Sequence, residues 1–237
     1  MRYLLLHGFS GTPDSLACLQ APPGSVAPVL SGHLETDTTG GYWDEVERLA
    51  ALGQGCNGLF GYSLGGRLAL GILARYPARF DHAVIVSAHP GLKSDAERAA
   101  RRDGDARFVA LLRERGLTAF VDAWQALPLW ASQGALPEAV KMAQREQRLR
   151  HHAGGLASSL IQHGLGEMPD LLAQLSRVTS RVDVVVGERD VKFVALGHEL
   201  AAVMPTAKLT LVPAVGHNLL LECPGLVAGL LLQGNAP

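Results

Sequence analysis

One short segment of the chain has the residue types and spacing of a serine nucleophile. The segment Gly61-Tyr62-Ser63-Leu64-Gly65 is a GxSxG pattern that follows an apolar run and opens a helical pattern. In that context the serine sits on a sharp strand-to-helix turn, which exposes its hydroxyl at the end of a sheet. The N-terminus of the following helix presents backbone N–H groups to developing negative charge. The pattern therefore predicts that Ser63 is a nucleophile or a base.

A serine hydroxyl at its ordinary pKa needs a histidine that a carboxylate orients before it can react. Asp190 follows the apolar run at 182–186, and His217 follows the next run at 209–212. Each candidate thus lies at the carboxyl end of a predicted strand, in the chain order Ser, Asp, His. Glu188 is a competing carboxylate that the residues alone do not exclude.

Two backbone donors for a developing oxyanion are expected near the serine. Leu64, the residue after Ser63, supplies one N–H, and Phe9, in the loop after the first apolar run, supplies the other. His7 precedes this loop and competes with His217 for the catalytic role. Its position directly after the first strand favours a structural role.

The other histidines and the cysteines show no metal-ligand spacing. The adjacent histidines at 151 and 152 lack an HExxH-like partner, so no metal site is predicted. Cys18, Cys56 and Cys223 are scattered without a CxxC pattern. Reduced thiols of this kind are typical of a cytoplasmic protein.

Six apolar runs alternate with helical patterns, which is typical of a parallel sheet covered by helices on both faces. The predicted strands are 3–6, 26–30, 56–60, 83–86, 182–186 and 209–212, and the predicted helices are 42–52, 64–75, 193–203 and 222–233. The fold class is therefore α/β, with a mostly parallel sheet of about six strands. The strands would bring Ser63, Asp190 and His217 to one edge of the sheet.

The strand pattern disappears between residues 92 and 166. This stretch is Ala-rich and Arg-rich, and it holds nine Arg and two Lys against eight Asp and Glu. It predicts a helical cap inserted into a core of residues 1–91 and 167–237. The positive charge indicates either anionic ligands or solvated helix faces.

Composition excludes several classes of protein. The 237 residues include 21 Lys and Arg against 22 Asp and Glu, which leaves no basic excess for nucleic acid. With 48% apolar residues the chain is expected to fold, and no apolar run reaches the ~18 residues of a membrane helix. The short apolar run at the N-terminus does not match a secretory signal. We therefore expect a cytoplasmic monomer or homodimer that acts on a small anionic or ester substrate and binds neither nucleic acid nor membrane.

The segments LHGF, GYSLGGR, VGERD and GHN together resemble the α/β-hydrolase superfamily over essentially the whole chain. The resemblance implies an α/β-hydrolase fold. It also implies that Asp190 rather than Glu188 is the carboxylate of the triad, since members with this triad order usually place Asp there.

A narrower similarity covers both the core and the cap. The segments GYSLGGRLAL, SAHPGL, ERAAR, GERDVKF and GHN are similar to the 2-succinyl-6-hydroxy-2,4-cyclohexadiene-1-carboxylate synthases of menaquinone biosynthesis. This resemblance implies a lyase on a hydrolase scaffold that removes a proton from a polycarboxylate and eliminates pyruvate without a cofactor or metal. It gives substrate contacts to Tyr62, Arg101, Trp124 and Arg148. The alternatives are Arg98 and Arg102 for Arg101, and Arg145 for Arg148.

The chain departs from the pattern of that family at two places. Gln125 follows Trp124 where the family tends to have Tyr, and 219–221 is Leu-Leu-Leu where the family tends to have small and polar residues. The alternative function is therefore a carboxylic-ester hydrolase that works through an acyl-enzyme. A binding protein with a vestigial triad is the third hypothesis.

Overall fold

Five parallel strands form a single sheet in the computed structural model, which describes residues 1–38 and 40–233. Strand order in space follows the order in the chain, β1-β2-β3-β4-β5. The strands are β1 (Tyr3–Leu6), β2 (Gly58–Tyr62), β3 (His82–Val86), β4 (Arg181–Gly187) and β5 (Ala207–Val212). This confirms the predicted α/β class and five of the six predicted strands.

The sixth predicted strand, at 26–30, is wrong. Val26 alone forms a parallel bridge with β1, in which its N–H donates to Tyr3 O and its carbonyl accepts from Leu5 N–H, both at 2.8 Å. The next donor along this edge would be residue 28, which is a proline without an N–H. The ladder therefore ends after one bridge.

Helices cover both faces of the sheet and bury most of its strands on both sides. All residues of β1, β2 and β3 are buried, and one hydrophobic cluster lies on each face. The helices outside the β3–β4 connection are α1 (Tyr42–Leu52), α2 (Leu64–Arg75), α6 (Leu172–Leu175), α7 (Val191–Val203), α8 (Leu219–Glu222) and α9 (Pro224–Gln233), with a 3-10 helix at Pro13–Leu19. The helix predicted at 222–233 is therefore two helices: α8, which begins at Leu219, and α9, which begins at Pro224.

The connection between β3 and β4 is helical, and we call residues 92–166 the inserted segment. It holds α3 (Asp95–Gln125), a 3-10 helix at Pro128–Ala135, α4 (Glu138–Arg148) and α5 (Ala153–His163). Helix α3 is interrupted at Gly116, whose φ of 77° is a left-handed conformation. A third hydrophobic cluster packs α3 against α5.

The division into core and cap stays a prediction. Its last core range extends to residue 237, so residues 234–237 of that range lie outside the described part of the chain. Within the described part, no helix has the length and apolar character needed to cross a membrane.

Candidate active site

Ser63 lies on the turn that joins β2 to α2. Its φ of 53° and ψ of −110° are strained for a residue with a side chain. The close approach of this turn to its neighbours explains two of its glycines. A Cβ on Gly61 would lie 2.5 Å from Gly65 O, and a Cβ on Gly65 would lie 2.2 Å from Leu6 O. The local sequence thus allows α2 to begin directly against the ends of β1 and β2.

The structure brings Ser63, His217 and Asp190 together, and we call them the candidate triad. Nε2 of His217 lies 3.0 Å from Ser63 Oγ, and Nδ1 lies 2.6 Å from Asp190 Oδ2. Asp190 follows β4 and His217 follows β5, so both reach the carboxyl edge of the sheet, where Ser63 lies. This geometry allows the imidazole to accept the hydroxyl proton while the carboxylate holds its other nitrogen.

Aromatic rings enclose the imidazole of His217, which is 1% exposed. The ring centroids of Phe193, Trp130 and Tyr62 lie 4.6, 5.5 and 5.7 Å from that of His217. Such a shell excludes water and fixes the ring plane, so the hydrogen bonds within the candidate triad act in a medium of low dielectric.

The competing residues lie outside this arrangement. Glu188 is exposed at the end of β4. The Nδ1 of His7 lies 2.9 Å from Gly8 O, and its Nε2 accepts the N–H of Leu30 at 3.2 Å. Both ring nitrogens of His7 are therefore occupied by backbone groups.

The two N–H groups predicted for an oxyanion belong to residues beside Ser63. Leu64 begins α2, so its N–H has no acceptor within the helix. Phe9 belongs to the loop after β1, where a Cβ on Gly8 would lie 3.6 Å from Ser63 Cβ. Both Phe9 and Leu64 line the same cavity as Ser63.

That cavity, which we call the serine cavity, has a volume of about 190 Å³. Its walls include Ser63, His217 and Trp124. Trp124 stacks on Phe120, with their ring centroids 5.6 Å apart, in the aromatic cluster of the inserted segment. The predicted contact residue Trp124 thus forms part of the roof over Ser63.

Three cationic side chains line the serine cavity: Arg67, Arg101 and Lys192. Arg101 Nε bonds both carboxylate oxygens of the buried Asp105, at 2.9 and 3.0 Å. Arg67 Nη1 instead donates to the carbonyl of His163 at 2.9 Å, which leaves its charge uncompensated by that contact. The cavity therefore carries a positive potential that favours an anionic ligand.

The pKa values of these groups reflect burial of positive charge. Burial and, to a smaller extent, the nearby charge of Arg101 lower the pKa of Arg67 to about 10. Burial and Arg101 also lower the pKa of Lys192. His89, on the same wall, has its pKa lowered to about 3, first by burial and then by Lys192 and the two arginines, so it is neutral.

Arg67 and Lys192 are site residues that the sequence motifs did not predict. Arg67 lies four residues after Ser63, so both lie on one face of the start of α2. Lys192 follows Asp190 by two residues in the first turn of α7. A helical reading of the two motifs could have placed both beside the candidate triad.

A second, larger cavity of about 470 Å³ lies beside the first, and we call it the side cavity. Phe9, Tyr62 and Trp130 line both cavities. The side cavity also has an apolar wall formed by Leu220 and Leu221, part of the Leu-Leu-Leu departure from the family pattern. The two cavities are thus separated by shared aromatic side chains.

Arg148 lines the side cavity rather than the serine cavity. It is 4% exposed, and its guanidinium lies 5.3 Å from the Trp130 ring centroid. Its Nη1 and the Tyr62 hydroxyl are buried without a hydrogen-bond partner among the described residues. Burial lowers the pKa of Arg148 to about 10 and raises that of Tyr62.

The alternative arginines have other contacts. Arg98 bonds Leu92 O and Asp95, and Arg102 bonds Gly166 O, so both lie around a different surface pocket. Arg145 bonds Asp122 and Gln125. Of these five candidate arginines, only the two predicted ones, Arg101 and Arg148, line either of the two cavities.

The chain is similar to one family model, to curated relatives and to solved structures. A family model described as the alpha/beta hydrolase family matches residues 3–230. A putative 2-succinyl-6-hydroxy-2,4-cyclohexadiene-1-carboxylate synthase of Bacillus subtilis (strain 168) is 35% identical, over 96% of this chain and 88% of its own length. The synthase of that name from Enterobacter sp. (strain 638) is 34% identical over 74% of this chain, and the match spans 65% of its length. The structure of MenH from S. aureus superposes with a TM-score of 0.87 at 26% identity, over 100% of this chain and 95% of that one.

Proposed function

Because the chain belongs to the alpha/beta hydrolase family and, within it, groups with the synthases, we propose that it is a 2-succinyl-6-hydroxy-2,4-cyclohexadiene-1-carboxylate synthase. In this proposal the protein is a carbon–oxygen lyase of menaquinone biosynthesis. It removes a proton from a polycarboxylate substrate and eliminates pyruvate.

The observation that carries the proposal is the charge of the serine cavity. Ser63 opens into a space whose walls carry Arg67, Arg101 and Lys192, with Asp105 bonded to Arg101. Charged groups are expensive to bury unless a ligand or a partner compensates them. A substrate with several carboxylates provides that compensation, whereas a neutral ester does not.

The candidate triad has the contacts that a base needs. Ser63 Oγ would transfer its proton to His217 Nε2 and take a proton from a substrate carbon, while Asp190 stabilises the imidazolium through Nδ1. The electron pair released at the carbon forms a double bond as the bond to the leaving enolpyruvate oxygen breaks. The leaving group then takes up a proton and becomes pyruvate.

The surrounding residues would bind and orient the substrate. Arg101 would hold a carboxylate in the serine cavity, and Trp124 would press the substrate toward Ser63. On the other side of the shared aromatic wall, Arg148 and the Tyr62 hydroxyl would bind a further polar group, since each has a buried polar atom that no described residue pairs with. Planar guanidinium groups bind carboxylates in two-point contacts, which fixes orientation as well as charge.

The proposal includes the setting of the reaction. Side-chain acid–base chemistry suffices for the elimination, so we propose that no cofactor or metal takes part. We place the enzyme in the cytoplasm, because Cys18, Cys56 and Cys223 are unpaired. Residues 92–166 would be the cap that closes over the substrate.

Carboxylic-ester hydrolysis is the alternative that the same site allows. Phe9 and Leu64 line the serine cavity, and their N–H groups would be the donors that acyl transfer requires for its tetrahedral oxyanion. An ester hydrolase would form an acyl-enzyme on Ser63 and show burst kinetics with an activated ester.

The deciding experiment measures two reactions with the same protein. Pyruvate release from the pathway intermediate, generated in situ, is followed together with hydrolysis of a short-chain nitrophenyl ester. Both are repeated with Ser63→Ala and with Ser176→Ala, a control because Ser176 is an exposed serine that lines neither cavity.

Rapid pyruvate release that is lost in Ser63→Ala and retained in Ser176→Ala supports the synthase. Rapid ester turnover that depends on Ser63, without pyruvate release, contradicts it and assigns acyl transfer. If Ser63→Ala retains both activities, the candidate triad has no catalytic role.

A further inference from the structure

The carboxylate of Glu222 connects the loop that carries His217 with the inserted segment. Its Oε2 accepts the N–H of Gly216 at 2.8 Å, and its Oε1 accepts the N–H of Asn218 at 3.3 Å. These two N–H groups belong to the residues immediately before and after His217. Glu222 therefore holds the backbone of His217 from both sides.

The same carboxylate also bonds a side chain from the inserted segment. Ser132 Oγ donates to Glu222 Oε1 at 3.0 Å, although the two residues are 90 positions apart in the chain. The contact is close in space as well, since a Cβ on Gly216 would lie 2.0 Å from Ser132 Oγ and 2.7 Å from Ser132 Cβ. The 3-10 helix at Pro128–Ala135 thus rests directly on the residue before His217.

The position of that 3-10 helix determines the position of Trp130. Trp130 lies two residues before Ser132, contacts the His217 ring with centroids 5.5 Å apart, and lines both cavities. Its indole N–H has no hydrogen-bond partner among the described residues, so no hydrogen bond of the ring itself holds it there. Ser132 provides a polar anchor of the segment to the His217 loop through Glu222.

We propose that Glu222 is a positioning residue that sets the His217 imidazole and, through Ser132, the Trp130 wall of the substrate cavities. The inference rests on the proposed catalytic use of Ser63 and His217, but not on which substrate they act on. A displacement of about 1 Å at a catalytic group costs about a hundredfold in rate, so a carboxylate that holds both neighbours of His217 affects the reaction itself.

The two contacts of Glu222 predict different kinetic effects. Glu222→Gln keeps the size of the side chain but replaces one carboxylate oxygen with an amide N–H₂, which cannot accept a hydrogen bond, so at least one backbone N–H beside His217 loses its acceptor. The Ser132 hydroxyl can pair with either end of the amide, because it can donate or accept. Ser132→Ala removes only the contact with the inserted segment. The first variant should lower kcat, whereas the second should raise KM and leave kcat nearly unchanged.

The experiment compares Glu222→Gln, Ser132→Ala and the double variant with the wild type. The matched control is Glu146→Gln, an exposed glutamate of α4. Three quantities are measured: the urea midpoint of unfolding, kcat and KM for pyruvate release, and the rate at which a fluorophosphonate labels Ser63. The labelling rate reports the reactivity of Ser63 without any need for the substrate.

We expect Glu222→Gln to reduce both kcat and the labelling rate by about tenfold. Ser132→Ala should raise KM about fivefold, with kcat and labelling within about twofold of the wild type, because it acts on binding alone. The double variant should combine the kcat loss of Glu222→Gln with the KM rise of Ser132→Ala, since the two substitutions act on different contacts. If the Glu222→Gln protein is folded but labels and turns over at the wild-type rate, the inference is wrong.

Two substitutions that change side-chain volume, at Gly216 and at Ser132, test the contact between the His217 loop and the inserted segment without altering Glu222. We call these two substitutions the steric pair. Gly216→Ala should displace the 3-10 helix and raise KM, and adding Ser132→Gly removes the atoms that its methyl group meets. The double variant should then return to the KM of Ser132→Gly alone. Fully additive losses would show that Gly216→Ala acts elsewhere, which overturns the coupling between the two segments.

Failure of the proposed function is distinguishable from failure of this inference. A wild-type protein that releases no pyruvate contradicts the synthase, but the ratio of labelling rates for the wild type and Glu222→Gln still decides the role of Glu222. If Glu222→Gln does not fold, Ser132→Ala and the steric pair decide the contact with the inserted segment.

Discussion

The imidazole of His33 accepts a hydrogen bond from the backbone N–H of Ser10, with Nε2 and N 3.2 Å apart. Ser10 directly follows Phe9, whose N–H is a predicted oxyanion donor. A histidine buried beneath the β1 loop therefore fixes the backbone next to Ser63. An imidazole nitrogen that accepts a hydrogen bond from an N–H group carries no proton, so the ring is not in its doubly protonated, charged form.

Two further buried histidines also accept hydrogen bonds from backbone N–H groups. His7 accepts the N–H of Leu30, and His151 accepts the N–H of Leu34 at 2.8 Å. The ring of His33 lies 5.0 Å from that of His7 and 5.4 Å from that of His151. Burial lowers the pKa of His7 and of His151 to about 4, and that of His33 well below its usual value.

We predict that the protein loses stability as the pH falls from 6.5 toward 4. In this range the unfolded chain binds protons on these histidines and the folded protein does not, so the free energy of unfolding decreases with decreasing pH. Each histidine should contribute about 1 kcal/mol per pH unit between pH 6 and 5. Urea unfolding at a series of pH values measures the slope.

His33→Gln should reduce that slope, because one proton-linked site is removed. His198→Gln, at an exposed position of α7, is the control and should leave the slope unchanged. A slope that is the same in the wild type and in His33→Gln would contradict the assignment.

The turn at Ser63 should tolerate no side chain at Gly65. A Cβ there would lie 2.2 Å from Leu6 O, and this contact is with backbone that cannot rotate away. We expect Gly65→Ala to lower the free energy of unfolding by about 3 kcal/mol, as overpacking does. Fluorophosphonate labelling of Ser63 in the folded variant should also slow.

Gly104→Ala is the matched control. Gly104 lies within α3, and a Cβ there meets nothing within 4 Å. Alanine should stabilise this helix by about 0.5–1 kcal/mol. If both substitutions change stability equally, steric contact at Gly65 is not the cause.

The sequence predicted the parts of the molecule that depend on local pattern. Apolar runs bounded by helical patterns identified five strands, and the GxSxG turn located Ser63 where β2 meets α2. Chain order and strand ends predicted that Asp190 and His217 lie at the same edge of the sheet. In the structure, His217 Nδ1 and Asp190 Oδ2 are 2.6 Å apart at that edge. These features follow from periodicity and from the rule that carboxyl ends of parallel strands meet.

The rest depends on contacts between distant segments. The run at 26–30 is apolar enough for a strand, but Pro28 removes the donor that the next ladder bond requires. Arg67 and Lys192 line one cavity together with Arg101 and Trp124 of the inserted segment, and no local pattern shows that shared wall. Glu222 gives no motif signal at all, because its role comes from a contact with Ser132, 90 residues away.

The structure distinguishes Arg101 from its neighbour Arg102, which the helical pattern could not. Arg101 lines the serine cavity, whereas Arg102 bonds Gly166 O on another surface. We predict that Arg101→Gln lowers kcat/KM for pyruvate release by about thirtyfold, which corresponds to about 2 kcal/mol for a truncated charge contact. Arg102→Gln, the matched control, should stay within about twofold.

The outcome for Arg101 also separates binding from folding. Its partner Asp105 is buried, so the variant could lose stability by leaving that carboxylate unpaired. The double variant Arg101→Gln with Asp105→Asn removes that cost. Recovery of kcat/KM in the double variant would mean that Arg101 acts only by neutralising Asp105, and not on the substrate.

Replacing Arg148 with an apolar residue should raise the stability of the protein and lower its activity. It is 4% exposed, no carboxylate among the described residues pairs with it, and its Nη1 has no partner. Replacing a buried, unpaired charge with an apolar side chain of similar length relieves a desolvation cost. Arg148→Met should therefore raise the free energy of unfolding by about 1 kcal/mol.

The same substitution should lower kcat/KM for the proposed anionic substrate by tenfold or more, because a binding contact worth about 1.4 kcal/mol corresponds to a factor of ten. Arg145→Met is the matched control on the same helix, since Arg145 already bonds Asp122 and Gln125. It should change stability by less than about 0.5 kcal/mol, as partly exposed ion pairs do. Urea unfolding and pyruvate-release kinetics on the two variants measure both effects. If Arg148→Met loses stability and keeps its activity, Arg148 is a structural residue and the side cavity does not bind the substrate.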